Sequence, residues 1–143
     1  MTITCYNLEM IINKPLLKEF FFAAFITAIL HYVALKTSLY WSTDWFDILM
    51  HFLGGVTAGL GVFFFAFASG LLRGNNISKH LLFWFVLLGA LVIGISWELW
   101  ELFVGFTDIT TDLPDTLIDI VMDAVGAICA YVIGKRYLVT NNQ

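Results

Sequence analysis

Two glutamates, Glu98 and Glu101, lie three residues apart within an apolar run over residues 81–104. On an α-helix, this spacing places both carboxylates on one face. A charged side chain at the centre of a membrane helix costs about 2.5–3.5 kcal/mol on insertion scales, so such residues usually face a polar interior and serve a function. The pair lies near the C-terminal end of its run, where the helix dipole disfavours acids. Helix capping therefore does not explain them, and we predict that both face a polar site.

Two further runs carry acids and a histidine at helical spacing. Asp47 and His51 are four residues apart, as are Asp119 and Asp123, so each pair lies on one helix face. Because successive membrane helices alternate in direction, these pairs and the two glutamates fall at one depth near the same membrane surface. The predicted metal ligands are Asp47, His51, Glu98, Glu101, Asp119 and Asp123. The predicted catalytic residues are Glu98, Glu101 and His51.

Carboxylates at this spacing repel one another unless a proton, a metal ion or a bound cationic group lies between them. Oxygen-rich sites suit Mg²⁺, Mn²⁺ or Ca²⁺, and a histidine among the ligands also admits Zn²⁺ or iron. The sequence contains no HExxH or CxxC motif. A divalent metal ion is therefore a predicted cofactor, and the ligand types leave its identity open. Protons and a bound cationic group are the alternatives that could neutralise the acids.

Structural roles account for several of the other polar residues. Asp47 and Asp115 fit equally well as helix N-terminal caps, because aspartate favours that position. Asp108 and Asp112 are expected to be solvated loop acids, and His31 is expected to be a hydrogen-bonded residue near a helix end. These alternatives leave Glu98, Glu101, His51, Asp119 and Asp123 as the residues that are hardest to explain without a functional site.

The composition indicates an integral membrane protein. The 143 residues are 60% hydrophobic and 13% charged, against about 45–50% and 25% in soluble proteins. Four apolar runs over residues 16–36, 46–68, 81–104 and 116–134 are each long enough, at about 20 residues, to cross a bilayer. We therefore predict an all-α, four-helix membrane bundle that forms a single domain over residues 1–143.

The basic residues predict the orientation of this bundle. Only Lys36 among the seven lysines and arginines falls on one side of the predicted spans. The positive-inside rule then places both termini and the middle loop in the cytoplasm. The acidic layer consequently faces the outer leaflet, and we expect a multi-pass protein of the bacterial inner membrane.

A local repeat links the second and fourth runs. Residues 47–55 and 119–127 share the pattern D-I-x-M-[H/D]-x-x-G-[small] at an offset of 72 residues. Both copies open helices of the same direction, which suggests parallel repeats of two helical hairpins. The repeat predicts that His51 lies opposite Asp123 and that Asp47 lies opposite Asp119.

These motifs resemble those of the VanZ-like and YjdF-like families of small bacterial membrane proteins. The similar parts are Asp47-x-x-x-His51-x-x-Gly54-Gly55, Trp97-Glu98-x-x-Glu101, and the aspartates at 115, 119 and 123 followed by Gly126-Ala127. Their order and spacing match over residues 44–134. The resemblance implies a multi-pass inner-membrane protein of the cell envelope, and it supplies no reaction.

Three functions remain open at this level. The first is an enzyme that uses a metal on a lipid-linked or amphiphilic substrate, with a glutamate as base. The second is a protein that binds or transports a cation or a proton. The third is a non-catalytic subunit of envelope assembly. Membrane lipid is the expected partner, homo-oligomers are compatible with the sequence, and nucleic acid is not expected because no basic stripe accompanies the net charge of −4. The acid-free inner halves of the last three helices favour a closed pocket over a path through a monomer.

Overall fold

The computed structural model of the protein describes residues 3–68, 78–108 and 112–139. Within this part the chain forms five helices and no strand: α1 (Ile3–Thr37), α2 (Leu39–Ser42), α3 (Asp44–Ala68), α4 (Lys79–Val104) and α5 (Leu113–Val139). Four segments are long and apolar enough to cross a membrane, namely Pro15–Thr37, Trp45–Ala68, Lys79–Val104 and Leu113–Tyr137. The predicted all-α, four-helix membrane bundle is confirmed.

All four long helices extend beyond the segments predicted from hydropathy, and the extension is largest for α1 and α5. The helix α1 begins at Ile3, well before the predicted start of the first run at residue 16, and Pro15 lies inside it. A proline removes one backbone hydrogen bond but does not by itself end a helix. The helix α5 begins at Leu113 rather than near residue 116, because Pro114 is tolerated in a first turn and Asp115 there is favoured by the helix dipole.

Both ends of α4 are capped. The Ser78 hydroxyl accepts a hydrogen bond from the Leu81 amide at 3.2 Å. At the other end, Gly105 adopts φ 78° and its amide donates to the carbonyls of Glu101 and Leu102. Glycine suits this left-handed position because it lacks a Cβ atom. The cap fixes the final two turns of α4, which carry Glu98 and Glu101.

The helix α3 packs most closely on α5, through glycines on both helices. A Cβ atom at Gly55 would overlap the Asp123 backbone, and one at Gly126 would overlap the backbones of Phe52, Gly55 and Val56. Small residues permit this close approach between membrane helices. Gly55 and Gly59 form a GxxxG motif, and both act in packing: Gly59 lies against Ala127 and Ala130.

The helix α4 buries a stripe with a period of four residues. Its buried members are Leu82, Val86, Ala90, Gly94 and Glu98. The first two join an apolar cluster with Leu60 and Phe63 of α3. A smaller cluster of Ala34, Phe46 and Met50 lies at the end of the bundle that carries α2, hereafter the α2 end. His51 follows Met50 directly, so the polar site lies between two apolar clusters.

The helix α1 is the least buried of the four spans, with 6% of its most apolar window buried, against 22–33% in the other three. It packs mainly on α3, and among the described residues it makes no backbone contact with α4. The rings of His31 and Trp97, 5.8 Å apart, join α1 to α4 near the α2 end. A cleft therefore lies between α1 and α4, with α3 as its floor.

Candidate functional site

His51 lies at the centre of a cluster of carboxylates contributed by three helices. Its Nε2 is 3.4 Å from Glu98 Oε1 of α4 and 3.8 Å from Asp47 Oδ1 of α3. Its Nδ1 is 3.5 Å from Asp123 Oδ2 of α5. His51, Glu98 and Asp123 are all buried. Both ring nitrogens thus face acids, and one side chain joins the polar faces of α3, α4 and α5.

Asp119 and Glu101 complete the cluster in two triads that share the histidine. One ligand atom each from Asp47, His51 and Asp119 lies within 4.8 Å of the others, and the same holds for His51, Glu98 and Glu101. Two ligands of one cation are separated by at most about 5 Å, which is twice a ligand distance of 2.3–2.6 Å. Each triad therefore satisfies the spacing needed to hold a metal ion.

Two buried carboxylate oxygens accept no hydrogen bond from the described residues. They are Oε1 of Glu98, whose side chain is 7% exposed, and Oδ1 of Asp119, which is 3% exposed. A buried polar group without a partner costs about 1–3 kcal/mol, and more when it is charged. Because such groups are rare in folded proteins, these two oxygens indicate that a further partner belongs in the cluster.

A glycine on α4 makes room for the Asp123 side chain. A Cβ atom at Gly94 would overlap the Asp123 carboxylate, and the carboxylate also lies 3.8 Å from the Cβ position of Gly54. Asp123 thus occupies a slot between α3 and α4 that only small residues can form. Sequence reasoning missed Gly94, although its position one turn before Glu98 placed it on the same helix face.

A cavity of about 330 Å³, hereafter the acid cavity, opens beside His51. Its polar lining consists of Asp47, His51, Glu101, Asp123, His31 and Tyr40, together with Trp97 and the two threonines Thr27 and Thr57. Glu98 and Asp119 lie outside this lining. Ligand pockets have volumes of about 300–1,000 Å³, so the acid cavity is large enough for a small head group.

Tyr40 lines the cavity at the α2 end and makes two contacts there. The Tyr40 hydroxyl is 2.7 Å from His31 Nδ1, and the Tyr40 ring packs on Phe46. Burial, and then the charges of Asp47 and Glu101, raise the pKa of Tyr40 above its ordinary value, so the phenol keeps its proton. The expected hydrogen bonding of His31 is thus observed, but its partner is a residue that lines the site.

A further hydrogen bond orients Glu101. The Trp97 Nε1 donates to Glu101 Oε1 at 2.9 Å. The Trp97 ring packs on Trp100 with centroids 5.0 Å apart. The spacing of four residues between Trp97 and Glu101 could have suggested this contact, because it places both on one helix face.

The structure brings all six predicted metal ligands into one cluster. Asp47 is not the N-terminal cap of its helix, because α3 already begins at Asp44; its carboxylate instead faces His51. Asp115, whose capping role was left open, is exposed in the first turn of α5 and outside both triads. Asp108, predicted as a loop acid, is exposed, and its amide donates to the Asp112 carboxylate at 2.7 Å. The catalytic and ligand roles of the six residues remain predictions.

The two copies of the sequence repeat meet at the site. His51 contacts Asp123, and Asp47 falls in one triad with Asp119, which are the pairings that the repeat predicts. The glycines that end each motif form the crossing of α3 and α5. The similarity of the two hairpins does not extend to their first helices, α1 and α4. The helix α4 packs on both α3 and α5, whereas α1 packs mainly on α3.

Comparison with known families agrees with this architecture and with the membrane-protein part of the resemblance described above. Over residues 1–140, the chain matches a family described as "Predicted membrane protein (DUF2238)". No curated protein and no solved structure matches the chain. Because the family match covers nearly the whole sequence, the protein belongs to the DUF2238 family of predicted membrane proteins.

Proposed function

We propose that the protein binds a divalent cation between α3, α4 and α5 and uses it on an amphiphilic substrate. The observation that carries this proposal is the pair of buried oxygens that accept no hydrogen bond from the described residues, Glu98 Oε1 and Asp119 Oδ1. Each belongs to a triad whose ligand atoms lie within 4.8 Å. A cation in either triad would be held by carboxylate and imidazole groups, which are ligand types that divalent cations accept.

The negative charge of the cluster is a stronger argument for a cation than the missing hydrogen bonds alone. Five carboxylates surround one histidine, and no lysine or arginine lines the acid cavity among the described residues. Like charges at such short range repel strongly in a low-dielectric interior. Protons could neutralise the acids, but a metal ion would also fill the coordination that Glu98 and Asp119 lack. Carboxylates with one imidazole suit Mg²⁺ or Mn²⁺, and they also admit Zn²⁺.

The proposed chemistry assigns different tasks to the two glutamates. Glu98 is buried behind the cavity lining and holds the cation. Glu101 lines the acid cavity and is oriented by Trp97, so it is the base that would take a proton from water. A bound divalent cation supplies Lewis-acid activation of water or clamping of a phosphate. His51 would complete the site as the ligand that joins both triads.

The location of the substrate follows from the predicted orientation. The positive-inside rule puts the α2 end at the outer leaflet, which suits an envelope protein of the bacterial inner membrane, as the VanZ-like and YjdF-like resemblance implies. On the opposite side of the site, the cluster of Leu60, Phe63, Leu82 and Val86 is apolar. This apolar packing favours a closed site over transport through a monomer.

Substitution of Glu98, whose Oε1 accepts no hydrogen bond, tests whether the site binds a cation. We expect Glu98→Gln to weaken Mn²⁺ binding by about tenfold or more, because the charge is lost although one ligand oxygen stays. The measurement is Mn²⁺ titration of the detergent-purified protein by calorimetry, after removal of metal with a chelator. Elemental analysis of wild type purified without chelator identifies the resident ion.

Asp115→Asn is the matched control, because Asp115 lies one turn before Asp119 on α5 but is exposed and outside both triads. Its Mn²⁺ affinity should fall much less than that of Glu98→Gln, because Asp115 supplies no ligand atom to either triad. Failure of wild type to bind any divalent ion, or equal losses in the two variants, would rule out the proposed centre.

A further inference from the structure

A second, apolar space continues from the acid cavity along the cleft between α1 and α4. This space, hereafter the apolar groove, has a volume of about 590 Å³. It shares five lining residues with the acid cavity, namely Thr27, Gly54, Thr57, Ala58 and Ile93. The two spaces are therefore continuous, and the lining changes from carboxylates at one end to hydrocarbon at the other.

Small residues on α3 form the floor of this groove. Gly54, Ala58 and Gly61 recur at intervals of three and four residues, so they line one face of the helix. From Gly54 to Phe65 the floor is about 16 Å long at 1.5 Å per residue. The neighbouring glycines Gly55 and Gly59 face α5 instead. The small residues of α3 thus serve two surfaces: one packs on α5, and the other lines the groove, where Phe20 of α1 lies 3.0 Å from the Cβ position of Gly61.

The groove opens sideways, toward the hydrocarbon of the membrane. Three of its lining residues are exposed: Phe65 by 63%, Ile93 by 51% and Phe85 by 38%. The opening exists because α1 and α4 make no backbone contact with each other in the described part of the chain. A lipid chain could therefore enter laterally, without passing the aromatic contacts of His31 with Tyr40 and Trp97.

We propose that this composite site binds a phosphate-bearing amphiphile taken from the membrane. Its single hydrocarbon chain would lie in the apolar groove, and its phosphate would reach the cation from the acid cavity. This inference rests on the proposed function, because Asp47, Glu101 and Asp123 would repel a phosphate in the absence of a cation. Oxygen ligands of a phosphate suit Mg²⁺ or Mn²⁺, which commonly bind substrate phosphates in addition to one or two carboxylates.

The alternative amphiphile carries an ammonium group, which the carboxylates could bind directly. Such a head group would compete with the cation for the same oxygens, whereas a phosphate would need the cation. Mn²⁺ should therefore strengthen the binding of a phosphate amphiphile and weaken the binding of an ammonium amphiphile.

The test uses dodecyl phosphate, a single-chain probe, with wild type in nanodiscs or a maltoside detergent, in the presence and absence of Mn²⁺. We expect binding that requires Mn²⁺ and that is stronger than the binding of butyl phosphate or inorganic phosphate. Ala58→Phe fills the junction of the two spaces and should weaken dodecyl phosphate binding by about tenfold or more, the loss expected when roughly two methylene groups are no longer buried. Mn²⁺ affinity should stay at the wild-type value.

Val121→Phe is the control, because Val121 is 59% exposed and lines neither space. Ile93→Trp, at the partly exposed rim, is the second blocking variant if Ala58→Phe does not fold. If wild type binds Mn²⁺ but not dodecyl phosphate, this inference is overturned and the proposed function is not. The same holds if the blocking variants bind dodecyl phosphate as tightly as wild type does. Absence of Mn²⁺ binding to wild type overturns both proposals, and stronger binding of dodecyltrimethylammonium than of dodecyl phosphate replaces the phosphate with a cationic head group.

Discussion

Replacement of His51 by alanine is expected to weaken Mn²⁺ binding by about 100-fold or more, the upper end of the effect seen when groups that support a metal site are lost. The reason is that His51 is the one residue common to both triads. Its two ring nitrogens also separate Glu98 and Asp47 from Asp123, at distances of 3.4, 3.8 and 3.5 Å. Without the ring, the carboxylates lose both a ligand partner and their spacing.

The same variant should lose the stabilisation that the cation gives. A ligand present at 100 times its dissociation constant raises the free energy of unfolding by about 2.7 kcal/mol when it binds only the folded protein. Thermal unfolding of wild type should therefore shift upward with Mn²⁺, and His51→Ala should show almost no shift at the same concentration. Calorimetric titration gives the affinities, and a fluorescence melt gives the stability.

His31→Ala provides the control, since His31 lines the same cavity but bonds to Tyr40 rather than to an acid. Its affinity for Mn²⁺ should stay within about twofold of wild type, a difference of less than roughly 0.5 kcal/mol. Equal weakening in the two histidine variants would show that cavity shape, and not ligation by His51, governs binding. Unchanged affinity in His51→Ala would remove His51 from the site.

Gly55→Ala is expected to lower the free energy of unfolding by about 1–3 kcal/mol, the usual cost of overpacking a close contact. The added Cβ atom would lie 2.7 Å from the Asp123 Cα and 2.8 Å from its carbonyl carbon. Backbone atoms cannot rotate away, so α3 and α5 would have to separate. The measurement is denaturant or thermal unfolding in detergent, followed by circular dichroism.

The adjacent glycine supplies the matched control. A Cβ atom at Gly54 would meet only Asp123 Oδ1, at 3.8 Å, which is an ordinary contact. Gly54→Ala should therefore leave stability unchanged or raise it by up to about 1 kcal/mol, because alanine is the better helix former. Similar losses in both variants would indicate that the close crossing of α3 and α5 does not hold the bundle together.

Gly55→Ala should also weaken Mn²⁺ binding, because the residue that it displaces is Asp123, a predicted ligand. This coupling between packing and site distinguishes Gly55 from Gly59, whose contacts are with Ala127 and Ala130 further along α5. Gly59→Ala should therefore affect stability more than Mn²⁺ affinity. A Gly55→Ala protein that is destabilised but binds Mn²⁺ normally would separate the crossing from the site.

The sequence alone was sufficient to predict the fold class and the six clustered residues. Runs of about 20 apolar residues have few alternatives to membrane helices, and acids within such runs must face one another rather than lipid. Alternation of helix direction then placed Glu98 of α4 at the depth of His51 and Asp123. The repeat around Asp47 and Asp119 added the pairing of α3 with α5, because matching motifs on parallel helices lie at the same level.

Only the tertiary structure decided which faces of the helices meet. The sequence did not distinguish Gly55, which contacts α5, from Gly54, which lines the cleft, because neighbouring glycines are equivalent until a partner helix is in place. Nor did it reveal the slot that Gly94 forms for Asp123, or the contact of His31 with Tyr40 and Trp97. Hydropathy fixes the depth of a residue, whereas the rotation of each helix depends on packing with its neighbours. The apolar groove follows from the same cause, since α1 packs on α3 and leaves its side toward α4 open.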